Sequence, residues 1–389
     1  MNAVILDGVR TPFGKWKGGF TKLNAKDLGV YAAKELVERV PETKDASGVI
    51  LAQVIQAGQG QNPARNVAVK SGISLEVPAI TINNVCLGGL ATVIDATRRI
   101  QLDEGELYVT GGFDSMTNAP HVASLRNGAG AGSLEMTDSL INDGLWCSLS
   151  DQSMGLLTDE QNESFSINRE EQDKFALNSH LKAAKAQEEG WLDDEIVPVF
   201  NGREELRHDE GVRAGSTIEK LNSLKPAFRK GGTITAGNAS QMSDGASIGL
   251  VSTERYAEKI GKTPLARIIG WSETAGPDAS LHTKPADAIN KILRGHGLTK
   301  DDIDLFEINE AFASVAIASM NELELEPDKV NINGGAIAIG HPLGGTGFRL
   351  MLTLIHALKR RGGGRGIASL CGGGGQGYAI LIEVPAEWV

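Results

Sequence analysis

Apolar and polar positions along this chain fall into two runs that repeat the same kinds of element in the same order. The first opens with a strand AVILDGV and continues through an amphipathic helix DLGVYAAKELVERV, an apolar strand SGVILAQVI, a strand ITINNV, a helix GLATVIDATRRI and a strand ELYVTGG. The second begins near residue 263 and runs LARIIGW, PADAINKILRG, IDLFEIN, VNINGG, GTGFRLMLTLIHALKRR and GIASLCGGGG. In GLATVIDATRRI, Leu90, Val93, Ile94 and Thr97 recur at i, i+3, i+4 and i+7, the spacing of a helix with one buried face. Such self-similarity marks a duplication. Strands alternating with helices predict a layered α/β domain for each copy, with a cleft between the two.

From about Phe113 to Met242 the periodicity is scattered and Asn, Ser, Gly, Asp and charged residues dominate. This stretch is expected to be an insertion folded over the cleft. It holds one clear helix, NREEQDKFALNSHLKAAKAQEEG, with Asn168 as its cap and Gly190 at its end. The expected division is residues 1–113 with 243–262 for the first domain, 114–242 for the inserted loop domain and 263–389 for the second domain.

Composition narrows the function. A chain of 389 residues, 41% hydrophobic and 22% charged, has ample material for more than one core. Its net charge of -11 supplies no basic field for a nucleic acid. No apolar run is long enough to span a bilayer, and the N-terminus lacks a cationic segment leading into an apolar one, so a cytoplasmic protein without membrane attachment is expected. The three cysteines, Cys86, Cys147 and Cys371, are an odd number at wide spacing, which suits reduced thiols better than a disulfide framework. No Cys or His pair stands at zinc-ligand spacing, so no metal is expected. The 48 glycines cluster around the reactive residues, where tight turns and close approach to a ligand call for them.

TINNVCLGGLATV places Cys86 between a strand end and a helix start, where free N–H groups and the helix dipole favour a thiolate. The plain alternative is a small buried apolar group. His341 lies in the turn-rich NINGGAIAIGHPLGGTG, suited to exchanging a proton with a thiol, or equally to a local structural hydrogen bond. Cys371 ends a strand in SLCGGGGQG, and the N–H groups of the following glycines could face a developing oxyanion. That segment is not a phosphate-binding loop, since no Lys followed by Ser or Thr closes it. Asn309 stands where IDLFEIN turns into a helix, a place where Asn is also an ordinary cap.

Taken together, NNVCLGG at 83–89, GQGQNPAR at 58–65, ITAGNAS at 234–240, NEAF at 309–312, GGAIAIGHPLGGTG at 334–347 and LCGGGGQG at 370–377 resemble the thiolase superfamily in order and spacing over essentially the whole chain. The resemblance implies a duplicated α/β fold, a five-layer αβαβα core with an inserted loop domain, and an acyltransferase acting on acyl-CoA and CoA as substrates with no resident cofactor. It also implies a place in fatty acid metabolism and a homodimer or homotetramer, with GQGQNPAR similar to a dimer-interface segment. By this resemblance Cys86 is the nucleophile that becomes acylated, and His341 takes its proton. Asn309, acting through a water, and His341 form one oxyanion hole. The N–H groups of Cys86 and Gly373 form the other, and Cys371 is the second acid/base. For CoA, the resemblance points to Arg213 near the nucleotide phosphates, Ser240 on the pantetheine, Ala311 and Phe312 along its tunnel, and Met154.

Three positions depart from the family pattern. Leu87 and Gly88 follow the nucleophile where a small residue and Ser are usual, and the Leu is expected to alter chain-length preference. Ser153, in SMGLLTDE, replaces a histidine that often contacts the pantetheine. Gly372 stands where a bulkier residue is common and is expected to loosen packing beside Cys371. These departures keep two other readings open: a non-catalytic acyl-CoA-binding protein of thiolase ancestry, and a different thioester condensing enzyme on the same fold.

Overall fold

The computed structural model describes residues 2–126, 128 and 130–389. Its principal elements are β1 (Ala3–Arg10), α1 (Ala25–Arg39), β2 (Gly48–Ala52), α2 (Pro63–Lys70), β3 (Ala79–Ile82), α3 (Gly88–Gln101) and β4 (Leu107–Ser115). There follow α4 (Met154–Gln161), α5 (Arg169–Glu188), β5 (Ser243–Thr253), β6 (Ala266–Ala275), α6 (Lys284–His296), β7 (Leu305–Ile308), α7 (Ala313–Leu323), α8 (Thr346–Arg360), β8 (Gly364–Gly372) and β9 (Gln376–Val384).

The strands line up in the order β7-β8-β9-β6-β1-β5-β4-β2-β3. From the centre outward one half reads β1, β5, β4, β2, β3 and the other β6, β9, β8, β7, followed by a single bridge from Phe306 to Val330. The pairings match as well: antiparallel for the first two contacts of each half, parallel beyond them. Within the sheet the halves pair at Val4–Arg267 and Ile5–Ala266. The repeat in the hydrophobic pattern is thus a repeat in sheet order.

Apolar stripes set the layers. Leu28, Leu36, Ala64 and Val67 of α1 and α2 bury against Val49, Val109 and Ile248 on one outer face. Ile289, Ile292, Met320 and Leu323 of α6 and α7 bury against Ile308, Ile367 and Leu381 on the other. Between the halves, Leu90, Val93 and Ile94 of α3 meet Leu350, Met351 and Leu354 of α8. Helices, sheet, paired helices, sheet and helices make the five layers. Between β4 and β5 the chain adds no strand to this sheet, only α4, α5, short turns and two-residue ladders among the described residues. Helix α5 carries a capping box in which Asn168 Oδ1 accepts the Glu171 N–H and the Glu171 side chain accepts the Asn168 N–H.

Four elements differ from the sequence pattern. VNINGG is not a strand: Val330 makes one bridge, and Asn331 turns away at φ +47 with its side chain bonded to both backbone groups of Ile308. Strands β5 and β9 are a fifth and a fourth strand that the two-run pattern leaves out, and helix α2 is an addition to it.

Candidate active site

Strand β3 ends at Ile82, and a tight turn carries the chain into α3. Asn83 Oδ1 accepts the Val85 N–H at 3.0 Å, and Asn84 Nδ2 donates to the Tyr378 hydroxyl at 2.9 Å. Val85 takes φ +48, a left-handed conformation that a β-branched residue adopts only when its surroundings impose it. Cys86 follows, at the head of α3. The corresponding turn ahead of α8 carries His341. The two helices meet through glycines: a Cβ on Gly89 would lie 2.8 Å from the Phe348 nitrogen, and one on Gly347 would lie 2.5 Å from the Leu90 nitrogen. No side chain fits at either position.

That approach puts Cys86 Sγ 3.3 Å from His341 Nε2. His341 Nδ1 stands 2.7 Å from Thr346 Oγ1, and its backbone N–H donates to Ser243 Oγ at 3.1 Å. With Nδ1–H donated to Thr346, Nε2 is left to take the thiol proton. The loop is pinned from behind. Asp114, buried at the end of β4, accepts from the N–H groups of Val54, Ile55 and Gly344 at 3.1, 3.0 and 2.8 Å. Glu310 accepts from Ser179, Asn331 and the Ile337 N–H, holding the turn that leads to His341.

Burial dominates the electrostatics. It pushes the Cys86 thiol up to about 12, against the opposing N–H groups of Cys86 itself and Gly373, and the Asp114 charge adds to the rise. It also brings the His341 imidazole down to about 3, helped by the Arg349 guanidinium. Asp114 is raised by burial to about 7. The thiolate expected from the helix start therefore gives way to a neutral thiol beside a neutral imidazole, because desolvation outweighs the backbone donors.

A cavity of about 60 Å³ gathers most of the residues singled out from the sequence: Cys86, Met154, Ser240, Ala311, Phe312, His341, Cys371 and Gly373. Cys371 is almost fully buried, its thiol raised well above the ordinary range by burial and by the nearby Cys86 sulfur. Ser240 is fixed by its N–H, which donates to the Ala311 carbonyl at 3.0 Å. Asn309 lies behind the wall, fully buried, with neither atom of its amide hydrogen-bonded among the described residues. Arg213 is exposed and lines no part of this cavity; its N–H donates to His180 Nδ1 at 3.2 Å.

The structure corrects the looseness expected at Gly372 and places the other two departures. Leu87 does not line the cavity; it is fully buried and packs against Gly372, so no looseness is left beside Cys371. Ser153 turns to the backbone, its Oγ accepting the Leu156 N–H at 3.2 Å as the cap of α4. Val85, Leu145, Leu281 and Leu343 also line the cavity. They come from four distant segments, and their spacing along the chain gives no sign of it. Through Val85, Gly144, Met154 and Gly373 the small cavity adjoins a larger one of about 730 Å³, walled by Trp146, Cys147 and Leu149.

Comparison with known proteins agrees with this geometry. Residues 3–255 match the family model for the thiolase N-terminal domain, and residues 262–384 the model for the thiolase C-terminal domain. The chain is 46% identical to a probable acetyl-CoA acetyltransferase of Mycobacterium tuberculosis, over 98% of this chain and 99% of that one. The crystal structure of the Bacillus anthracis acetyl-CoA acetyltransferase superposes with a TM-score of 0.95 at 40% identity, covering 98% of each chain. Human mitochondrial 3-ketoacyl-CoA thiolase does so with a TM-score of 0.94 at 37% identity and the same coverage. With both halves of the chain matched, the sheet order duplicated and the sulfur and imidazole brought to one cavity, this chain belongs to the thiolase family.

Proposed function

We propose that the chain is an acyl-CoA C-acyltransferase that joins acetyl-CoA to an acyl-CoA, or in reverse cleaves a 3-ketoacyl-CoA with CoA, through an acyl group carried on Cys86. The observation that carries this reading is the contact of 3.3 Å between Cys86 Sγ and His341 Nε2 in a cavity that also holds the Cys371 thiol.

With the thiol pushed up and the imidazole down, proton transfer is uphill in the unliganded site. It proceeds as the sulfur attacks the thioester carbonyl, because negative charge then moves to an oxygen placed against the N–H groups of Cys86 and Gly373. The Cys371 thiol gives its proton to the leaving CoA sulfur and becomes a thiolate, while His341 keeps the Cys86 proton on Nε2. For condensation a second thioester must lose an α-proton. Its enolate oxygen has the Nε2–H of the protonated His341 and, through a water, the free amide of Asn309 as donors, and the Cys371 thiolate takes the proton. CoA enters along Met154, Ser240, Ala311 and Phe312 and is a substrate, with Arg213 meeting its phosphates at the surface. The exposed Ile80 on β3, at the end of the sheet, supports a homodimer or a tetramer built from it. Three free cysteines suit a cytoplasmic location. Among the described residues no helix is long and apolar enough to cross a membrane.

The test is thiolysis by free CoA of 3-ketoacyl-CoA substrates from acetoacetyl-CoA to long-chain members, beside a Cys86→Ala control. Cleavage confined to acetoacetyl-CoA identifies a biosynthetic type of acetyltransferase, and cleavage of longer chains a degradative one. CoA binding with no cleavage of any member would overturn the catalytic reading in favour of an acyl-CoA-binding protein.

A further inference from the structure

Gly372, the residue after Cys371, has no place in the left-handed region of backbone space, so its conformation does not call for glycine. Space does. A Cβ built there would lie 2.5 Å from Leu87 Cγ and 2.8 Å from Leu87 Cδ1. Leu87, the residue after Cys86, is fully buried in the central core with Leu90, Leu350 and Leu370, and it is absent from the cavity wall. Its isobutyl group therefore stands flush on the backbone of the segment that carries Cys371 on one side and Gly373 on the other. The Gly373 N–H in turn faces the Cys86 sulfur.

We propose that Leu87 is a positioning residue: seated on Gly372, it sets the spacing between the turn that presents Cys86 and the strand end that presents Cys371 and the Gly373 N–H. The two departures, a large residue after the first cysteine and none after the second, are then a single exchange of volume across one contact. Leu87 stays off the cavity wall, and Gly372 meets the cavity only by its backbone, its Cβ direction pointing at Leu87. Truncating Leu87 leaves a void into which the 371–373 segment can relax, moving one reacting thiol relative to the other. A side chain added at 372 with Leu87 intact forces the same two segments apart.

The inference rests on the two-cysteine reading of the site, and its test compares Leu87→Ala with Leu87→Ala/Gly372→Val. In the single variant thiolysis kcat falls about tenfold while the KM for CoA stays within about twofold, since a small misplacement of reacting groups acts on the chemical step rather than on binding. In the double variant the valine refills the void, and kcat returns to within about threefold of the parent, the non-additivity expected of residues in contact. Gly372→Val alone, facing the intact leucine, loses activity or folding, and the central comparison does not depend on it. An unchanged kcat in Leu87→Ala overturns the proposal. So does a double variant that regains its melting temperature but not its kcat, which would make Leu87 ordinary core packing. Full activity in Cys371→Ala would instead sink the two-cysteine reading itself, so the two failures are distinguishable.

Discussion

The first and second copies of the fold deliver different chemistry from matching places. In each copy a turn precedes a central helix, α3 in one and α8 in the other, and the glycines just inside those helices, Gly89 and Gly347, meet backbone to backbone. The first turn presents a sulfur and the second an imidazole, 3.3 Å away. The strands one layer out diverge as well. β4 ends in Asp114, whose carboxylate is used up on three backbone N–H groups, whereas β8 ends in Cys371, whose thiol opens into the cavity. A common sheet order thus fixes where a residue is presented. The identity of the residue at the junction decides whether that place holds a loop or moves a proton.

His341→Ala breaks this comparison most severely. It removes the base supplied by the second copy while leaving the sulfur of the first in place. Acylation of Cys86 in a single turnover is expected to slow about a thousandfold, within the range for loss of a general base. A loss of less than about fivefold, measured by rapid quench, would mean the imidazole is not the proton acceptor.

Gly347→Ala attacks the contact between copies rather than either reacting group. Its Cβ would lie 2.5 Å from the Leu90 nitrogen and 3.0 Å from the Gly89 backbone, so the helices must separate. Overpacking of this kind costs about 1–3 kcal/mol of stability. Because the shift also draws His341 from Cys86, kcat is expected to fall further than the melting temperature alone would suggest. Melting and kinetics measured together decide it, and an unaltered kcat would show that the helix contact does not set the pair.

Arg213→Ala has the smallest expected effect. The guanidinium is exposed and remote from the cavity, so its loss is expected to raise the KM for CoA about threefold with kcat unchanged, in keeping with the modest worth of a screened surface charge. An equal KM across salt concentrations in parent and variant would remove Arg213 from the CoA site.

Much of this was legible in the residues. Alternating strands and helices, repeated in order, predicted the duplicated layers. The Asn168 cap and Gly190, at φ +68, bounded α5 to within a residue or two. Cys86, His341, Cys371 and Gly373 stood out because glycines crowd them, and the structure puts all four around one cavity. What escaped depends on partners far along the chain. β5 is held by pairing with β1, far earlier in the chain, as in Ala3 with Thr253. VNINGG has the composition of a strand, but Asn331 spends its amide on Ile308 and ends the pairing after one bridge. The thiolate expected at Cys86 followed from the helix start alone, and the desolvation that opposes it comes from the layers packed around the partly buried thiol. The contact of Leu87 with Gly372 likewise joins two motifs that look unrelated until the sheets are packed.

The central claim is that the two cysteines divide the work, Cys86 carrying the acyl group and Cys371 moving the α-proton. It is tested most directly by mass spectrometry of Cys371→Ala after exposure to acetyl-CoA, with peptide mapping of the adduct. The account predicts stoichiometric acetylation at Cys86, no modification elsewhere and no condensation product. An enzyme that stays unacetylated, or that still condenses acetyl-CoA at the parental rate, would contradict it.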